Sequence, residues 1–359
     1  MLCGRVGPSS LEGDAVNDLR FRAFDFRFLQ ALIIGLLVFN ISVCMASEPD
    51  DPNSNRPTVI VVVGASGTPE YGAQFVKWAQ LWKQACTKGG EKFISIGLDN
   101  EVQNTDDRTT LQQTITDESQ QTEAALWLVL IGHGTFDGRT AKFNLRGPDL
   151  SAKDLAECLK SIVRPLVVID TSSSSAPFLS ILSGPQRVVI TATKSGFEQN
   201  YTRFGGYLAE AIAEPKADLD KDGQTSLLEA FLTASHRVDE FYSAEGQLAT
   251  ERALLDDNGD GLGTRADWFR GIRPVQSAED GASLDGYLAH QFHLVHSEAE
   301  NAMPLELRAK RDKLELEVMA LRDSKDKYSE EEYFSRLEKM LYDIAQIYEQ
   351  SEQDENNPG

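Results

Sequence analysis

The chain is short of basic side chains, short of cysteine and has only one extended apolar run. Thirty-five Lys and Arg stand against 56 Asp and Glu, a formal net charge of -21. Such a surface repels the phosphates of nucleic acid and the headgroups of anionic membranes, so neither is expected as a partner. The excess carboxylates serve either solubility or cation binding, and their local clustering, described below, points to a cation. The four cysteines are Cys3, Cys44, Cys86 and Cys158. Cleavage near Ala46 would remove the first two. The other two fall on helical patterns and read as buried thiols, although an oxidising compartment would let them bridge. Of the five histidines, His236, His290, His293 and His296 show no metal-ligand spacing. His293 and His296 would share one helix face and read as surface packing.

The apolar run Phe28–Cys44 is broken only by Gln30, Asn40 and Ser42. Arg20, Arg22 and Arg27 precede it, and Met45, Ala46 and a polar stretch follow. This pattern predicts a signal peptide over residues 1–46 that exports the chain to the periplasm or beyond the cell. The run is short for a spanning helix, and retention as a membrane anchor is the alternative. Val43 is larger than a lipid-attachment site at Cys44 prefers. Residues 47–57 read as a Pro/Asp/Asn linker.

From Thr58 onward, strand and helix patterns alternate. Thr58–Val63 and Ala125–Ile131 are continuous apolar runs, as expected for strands buried on both faces. Between them, Tyr71–Cys86 carries Phe75, Trp78, Ala79, Trp82 and Ala85 on one helical stripe. Ser151 and Asp154 fit a capping box at the start of another helix. Strands Leu166–Ile169 and Arg187–Thr193 and a helix from Phe204 to Ala213 complete the pattern. The alternation predicts an α/β domain over 58–213, with a mainly parallel sheet covered by helices on both faces. Residues 271–285 read as a linker and 286–351 as a helical hairpin. Its heptad-like stripes are Leu307, Leu314, Val318 and Leu321, and Phe334, Leu337, Leu341, Ile344 and Tyr348. The hairpin either folds onto its own domain or pairs with a second copy. Residues 352–359 are expected to be disordered.

The acidic clusters lie between the domain and the hairpin, in a calcium-binding region over 214–270. Asp218 to Glu229 matches the twelve-residue EF-hand loop. Asp218, Asp220 and Asp222 offer carboxylates on alternate residues, and Gly223 allows the bend. Gln224 offers its carbonyl, Ser226 a direct or water-bridged contact, and Glu229 a closing two-oxygen ligand. Thr225 departs from the usual aliphatic residue, and Pro215 interrupts the incoming helix. A second loop starts 38 residues later, spaced as in a paired EF-hand: Asp256, Asn258, Asp260, the Leu262 carbonyl, Thr264 and Asp267. Here Gly263 replaces the pairing aliphatic and Asp267 the longer Glu. The expected cofactor is Ca2+, in a structural role.

One further set of motifs carries a likeness. Strand-Gly132-His133-Gly134, Asn144 to Leu150, Asp154-Leu155 and strand-Asp170-Thr171 together resemble the caspase-like clan of cysteine peptidases, nearest its legumain branch. The likeness spans about residues 58–213. It is also similar to exported planctomycete-type bacterial proteins that combine this fold with calcium loops. The resemblance implies that His133 holds the general-base position, that the Gly134 N–H faces an oxyanion hole, and that Ser172 occupies the position of the cysteine nucleophile. Ser175 stands where glycine is expected. A serine hydroxyl is far less acidic than a thiol and needs a well-oriented base steadied by a third group. Asp170 is the one candidate for that group. The expectation is an exported calcium-binding pseudopeptidase that acts as an interaction or scaffold module on a protein or peptide partner. A hydrolase using Ser172 and His133 is the alternative.

Overall fold

The computed structural model describes residues 56–98, 105–119, 124–276 and 284–356. The expected signal peptide and nearly all of the first linker lie outside them. The first half of the chain runs β1 (Thr58–Val63), α1 (Pro69–Gly89), β2 (Lys92–Ile96), α2 (Asp107–Asp117) and β3 (Leu126–Ile131). Three short strands follow, β4 (Gly134–Phe136), β5 (Ala141–Phe143) and β6 (Leu150–Ser151), and form a small antiparallel sheet before α3 (Ala152–Cys158). Next come β7 (Leu166–Asp170), α4 (Ala176–Leu182), β8 (Arg187–Thr191), α5 (Phe204–Ala211) and α6 (Leu227–Ala244). The chain ends with β9 (Leu254–Asp256), β10 (Thr264–Arg265), β11 (Phe269–Arg270), β12 (Arg273–Pro274), α7 (Tyr287–Gln291), α8 (Glu298–Ala302), α9 (Leu305–Asp323) and α10 (Glu330–Asn356).

The main sheet has the order β10-β9-β8-β7-β3-β1-β2. Its core strands β8, β7, β3, β1 and β2 are parallel, and β9 and β10 run antiparallel at one edge. The α/β expectation holds. The all-apolar β1 is buried along its length because both faces are covered. Val59, Val61 and Val63 pack under Phe75, Trp78 and Trp82 of α1 and Phe231 of α6. Ile60 and Val62 meet Leu111 of α2, Leu155 of α3 and Phe178 of α4 on the other side. The expected caps form. Thr68 accepts from the Tyr71 N–H at the start of α1, and Ser151 and Asp154 close a capping box on α3.

The boundary expected after residue 213 is not a boundary in the packing. Leu227, Leu228 and Phe231 of α6 are buried in the same cluster as the odd-numbered valines of β1. β9 pairs with β8, which covers a sheet edge that would otherwise expose unpaired backbone groups. The segment read as a 271–285 linker contains strand β12 and the buried Asp285. The hairpin is narrower than 286–351: α9 and α10 form it, and residues 286–304 form a strap with the two short helices α7 and α8. On α10 the buried seam includes Tyr333, Ile347 and Ser351, whereas Phe334, Leu341 and Tyr348 are exposed. Leu337 and Ile344 of the expected stripe are half-buried, so the seam keeps these two and runs through Tyr333 and Ile347 in place of Phe334 and Tyr348. α10 continues to Asn356, past the expected onset of disorder.

Candidate functional site

Two places gather chemistry-bearing residues. The first is the carboxyl end of the parallel sheet, where β3 and β7 are neighbours and Leu130 stands opposite Asp170. This pairing brings His133-Gly134 beside Asp170 to Ser175. The Thr171 N–H and hydroxyl both donate to the Leu130 carbonyl, at 3.0 and 2.8 Å.

The catalytic arrangement implied by the resemblance does not form. The Ser172 hydroxyl, fully buried, donates to Asp170 Oδ1 at 2.6 Å, and the same oxygen accepts from the Ser172 N–H at 3.0 Å. His133 turns elsewhere: Nε2 lies 3.2 Å from the Ser66 carbonyl, so that nitrogen carries the proton and donates. The ring is held edge-on by Tyr71 and Phe75, with centroids 4.9 and 5.2 Å away. No hydrogen bond joins His133 to Ser172 among the described residues. The Gly134 N–H is also occupied, donating to Ser173 Oγ at 3.2 Å while that hydroxyl faces the Gly134 carbonyl at 3.0 Å. A Cβ on Gly134 would stand 2.1 Å from the Ser173 carbonyl oxygen. The two turns are thus packed backbone to backbone. The missing glycine at Ser175 does not distort the turn there, since Ser175 has an ordinary φ of -74°. The left-handed residue is Ser174, with φ 56°.

Asp170 is fully enclosed, its Oδ2 has no hydrogen-bond partner among the described residues, and burial pushes its carboxyl up to about 7 against the two bonds from Ser172. A carboxyl that titrates higher in the folded than in the unfolded chain takes up protons on folding between about pH 4 and 7. Its contribution to stability therefore falls as pH rises through that window, by on the order of 2–4 kcal/mol in all. Asp170→Asn keeps an acceptor for Ser172 and removes the titration. The loss of thermal stability between pH 5 and pH 8 should be smaller in the variant than in the wild type. Equal losses would show that Asp170 is not the titrating group.

The second place is the pair of acidic loops. In the first, Asp218, Asp220 and Asp222 bring carboxylate oxygens within 4.8 Å of one another. Asp218 accepts from the N–H groups of Lys221 (2.6 Å) and Gly223 (3.1 Å), Asp220 from Asp222 (3.2 Å), and Asp222 from Gln224 (3.0 Å). Lys221 and Gly223 have left-handed φ values of 69° and 91°, which bend the loop around these carboxylates. Glu229 is completely buried and spans the loop. Its Oε1 accepts from the N–H groups of Leu219 (2.6 Å) and Asp220 (3.2 Å), and its Oε2 from the Ser226 N–H and hydroxyl, both at 2.8 Å. Burial raises the Asp220 carboxyl, and the charges of Glu229 and Asp222 raise it further.

The second loop repeats this scheme. Asp256 accepts from Gly259 and Gly261, both at 3.0 Å; Asn258 from Asp260 at 2.8 Å; and Asp260 from Leu262 at 2.7 Å. Gly259 and Gly261 have φ values of 81° and 75°, matching Lys221 and Gly223. The closing carboxylate is not the expected one. Asp267 is exposed and ion-paired with Arg265, because the loop leaves through β10 and a 3-10 turn rather than through a helix that would aim this side chain inward. Asp285, only 2 % exposed, takes the place. Its Oδ1 accepts from the N–H groups of Asp257 (3.0 Å) and Asn258 (3.3 Å), and its Oδ2 from the Thr264 hydroxyl. These are the second, third and ninth loop positions, the ones Glu229 serves in the first loop. Burial raises the Asp285 carboxyl, and the charge of Asp257 raises it further. The one sequence signal for such a residue was the short Asp267 at the closing position, which left a ligand to come from elsewhere.

Neither loop is a complete helix-loop-helix. A 3-10 turn (Pro215–Ala217) precedes the first, and strands flank the second. The loops do not pair with each other either. Ser226 bridges to His293, and the Leu227 N–H donates to the Phe292 carbonyl at 2.7 Å. The strap carrying these residues ties the loops together. His290 places Nδ1 3.2 Å from Ser226 Oγ and Nε2 3.4 Å from Asp220 Oδ2, while Asp257 accepts from Gly286 and Ala289 at 2.9 and 2.7 Å. His293 and His296, expected to share a helix face, lie outside helices.

No family model matches the chain, and no curated protein matches it. Among solved structures it is similar to the Drosophila initiator caspase Dronc, with 16% identity and a TM-score of 0.38 over 59% of this chain and 83% of that one. It is also similar to caspase-1 from Spodoptera frugiperda, with 9% identity and a TM-score of 0.37 over 57% and 87%. A protein from Geobacter sulfurreducens is similar at 10% identity and a TM-score of 0.36, over 56% and 92%. Among the described residues no helix is long and apolar enough to cross a membrane.

Proposed function

We propose that the chain is an exported, calcium-stabilised pseudopeptidase of caspase-like ancestry that serves as an interaction or scaffold module for a protein or peptide partner. The observation that carries the non-catalytic reading is the closure of the serine turn. Ser172 gives its hydroxyl to Asp170, His133 gives its Nε2 proton to Ser66, and the Gly134 N–H is taken by Ser173. A nucleophile needs a base within hydrogen-bond reach, and an oxyanion needs a free donor; here the Ser172 hydroxyl is bonded to Asp170 rather than to His133, and the Gly134 N–H is taken by Ser173.

Calcium would be held in the first loop by Asp218, Asp220, Asp222, the Gln224 carbonyl, Ser226 and Glu229. In the second it would be held by Asp256, Asn258, Asp260, the Leu262 carbonyl and Thr264, with Asp285 in place of Asp267. What supports this assignment is the donor set, all hard oxygens, together with buried acids that no basic side chain among the described residues neutralises in ion-pair contact. Lys221 and His290 approach the first loop only at the Asp218 carbonyl and the Asp220 carboxylate. Bound calcium supplies the charge balance that these carboxylates lack.

A serine-directed fluorophosphonate probe tests the reading. Ser172 should stay unlabelled, and labelling that Ser172→Ala removes would overturn the proposal in favour of a hydrolase. Ser172→Cys alone should give no peptidase activity, since the Gly134 donor is still occupied. Peptide cleavage by that single variant would show that the site survives intact.

A further inference from the structure

The strap, the β11–β12 hairpin and the helical hairpin enclose a cavity of about 370 Å³ that neither the serine turn nor the acidic loops use. Its volume is in the range of ordinary small-ligand sites, about 300–1,000 Å³. Ile272, Leu316, Met319, Leu341 and Ile344 are among the apolar side chains of its wall. Two arginines, Arg273 and Arg322, also line it and are otherwise exposed.

In a chain with a net charge of -21, arginines have many carboxylates to choose from. Yet neither of these two makes a salt bridge with a described residue. Arg322 Nη1 lies 3.8 Å from the Met319 sulfur. The nearby Asp323 is occupied, accepting from the Tyr287 hydroxyl at 2.8 Å. Burial raises the Asp323 carboxyl, against the pull of that bond and of the Arg273 charge. Two carboxylates, Glu315 and Asp323, share the wall, but Glu315 pairs with Arg311 at 3.8 Å and Asp323 with Tyr287, which leaves the guanidiniums of Arg273 and Arg322 free of ion pairs with described residues. An apolar chamber so lined is complementary to a molecule with a hydrocarbon body and an anionic head.

We propose that this cavity binds a carboxylate amphiphile, a medium-chain fatty acid or a molecule of the same class, with its chain against Leu316, Met319, Leu341 and Ile344 and its head on Arg273 and Arg322. The general acidity of the protein works against adventitious uptake of anions, so retention of one requires this local positive charge. The cavity shares His290 and Gly286 of the strap with the acidic loops, but none of the residues assigned to calcium lines it, and the inference stands without the calcium assignment.

Calorimetric titration of the full chain with hexanoate, octanoate and decanoate tests it. Saturable binding of one equivalent is expected, with affinity rising about fourfold for each added methylene. Octanoate should bind more tightly than 1-octanol. In the double variant Arg273→Gln/Arg322→Gln that preference should disappear while 1-octanol still binds. Met319→Trp, which fills the chamber, should lower decanoate affinity at least tenfold, with a circular-dichroism melt confirming that the helical hairpin is intact. Absence of saturable decanoate binding overturns the proposal. So does unchanged affinity in a folded Met319→Trp variant, or a carboxylate preference that survives loss of both arginines. Binding of an acidic peptide but not of decanoate would also overturn it and assign the cavity to a polypeptide partner.

Discussion

Saturating calcium is expected to raise the melting temperature of the full chain by about 10 °C over a sample held in chelator. The physical reason is the number of carboxylates crowded together with little positive charge beside them. Asp218, Asp220 and Asp222 crowd within 4.8 Å, with the buried Glu229 across the loop. Asp256, Asp257 and Asp285 are buried together at the second loop. Without a cation the folded state bears this repulsion and the unfolded chain does not. A cation that binds only the folded state stabilises it by about 4 kcal/mol at a thousandfold excess over Kd, and a domain of this size moves roughly 2–4 °C per kcal/mol. Magnesium, which demands tighter octahedral geometry and keeps its waters, should do much less. An identical melting curve with calcium and with chelator would count decisively against the loops as metal sites.

The second large effect separates two acidic residues at the same nominal position. Glu229→Ala should lower stability by about 3 kcal/mol or more in chelator, because the N–H groups of Leu219, Asp220 and Ser226 lose a charged acceptor inside the protein. Asp267→Ala should stay within about 0.5 kcal/mol of wild type, since Asp267 is exposed and pairs only with Arg265. Denaturant melts of the two variants decide it. Comparable losses would mean that Asp267 closes the second loop after all.

What could be read from the sequence was set by local physics. The β-branched run Thr58–Val63 reads as a strand buried on both faces and Ser151 with Asp154 as the start of a helix, and both form. The Asp-x-Asp-x-Asp-Gly pattern of the first loop fixes its backbone through bonds between residues two to five apart, so spacing alone was enough to find it. The closing carboxylate of the second loop was not legible, because Asp285 lies 18 residues beyond Asp267 and arrives through tertiary packing of the strap. The seam of α10 was read correctly at Leu337 and Ile344 and missed at its other positions, because apolar residues occupy two adjacent stripes. Periodicity cannot choose between Tyr333/Ile347 and Phe334/Leu341/Tyr348 when both repeat at helical spacing. At the serine turn, motif spacing placed His133 and Ser172 at neighbouring strand ends. The side-chain bonds that separate them, His133 to Ser66 and Ser172 to Asp170, belong to the folded packing.

Counting bound calcium by titration calorimetry tests the two-loop account most directly. Two ions per chain are expected in the wild type and in Asp267→Asn, and one in Asp285→Asn. A wild-type chain that takes up no calcium, or an Asp285→Asn chain that still takes up two ions while Asp267→Asn takes up one, would contradict it.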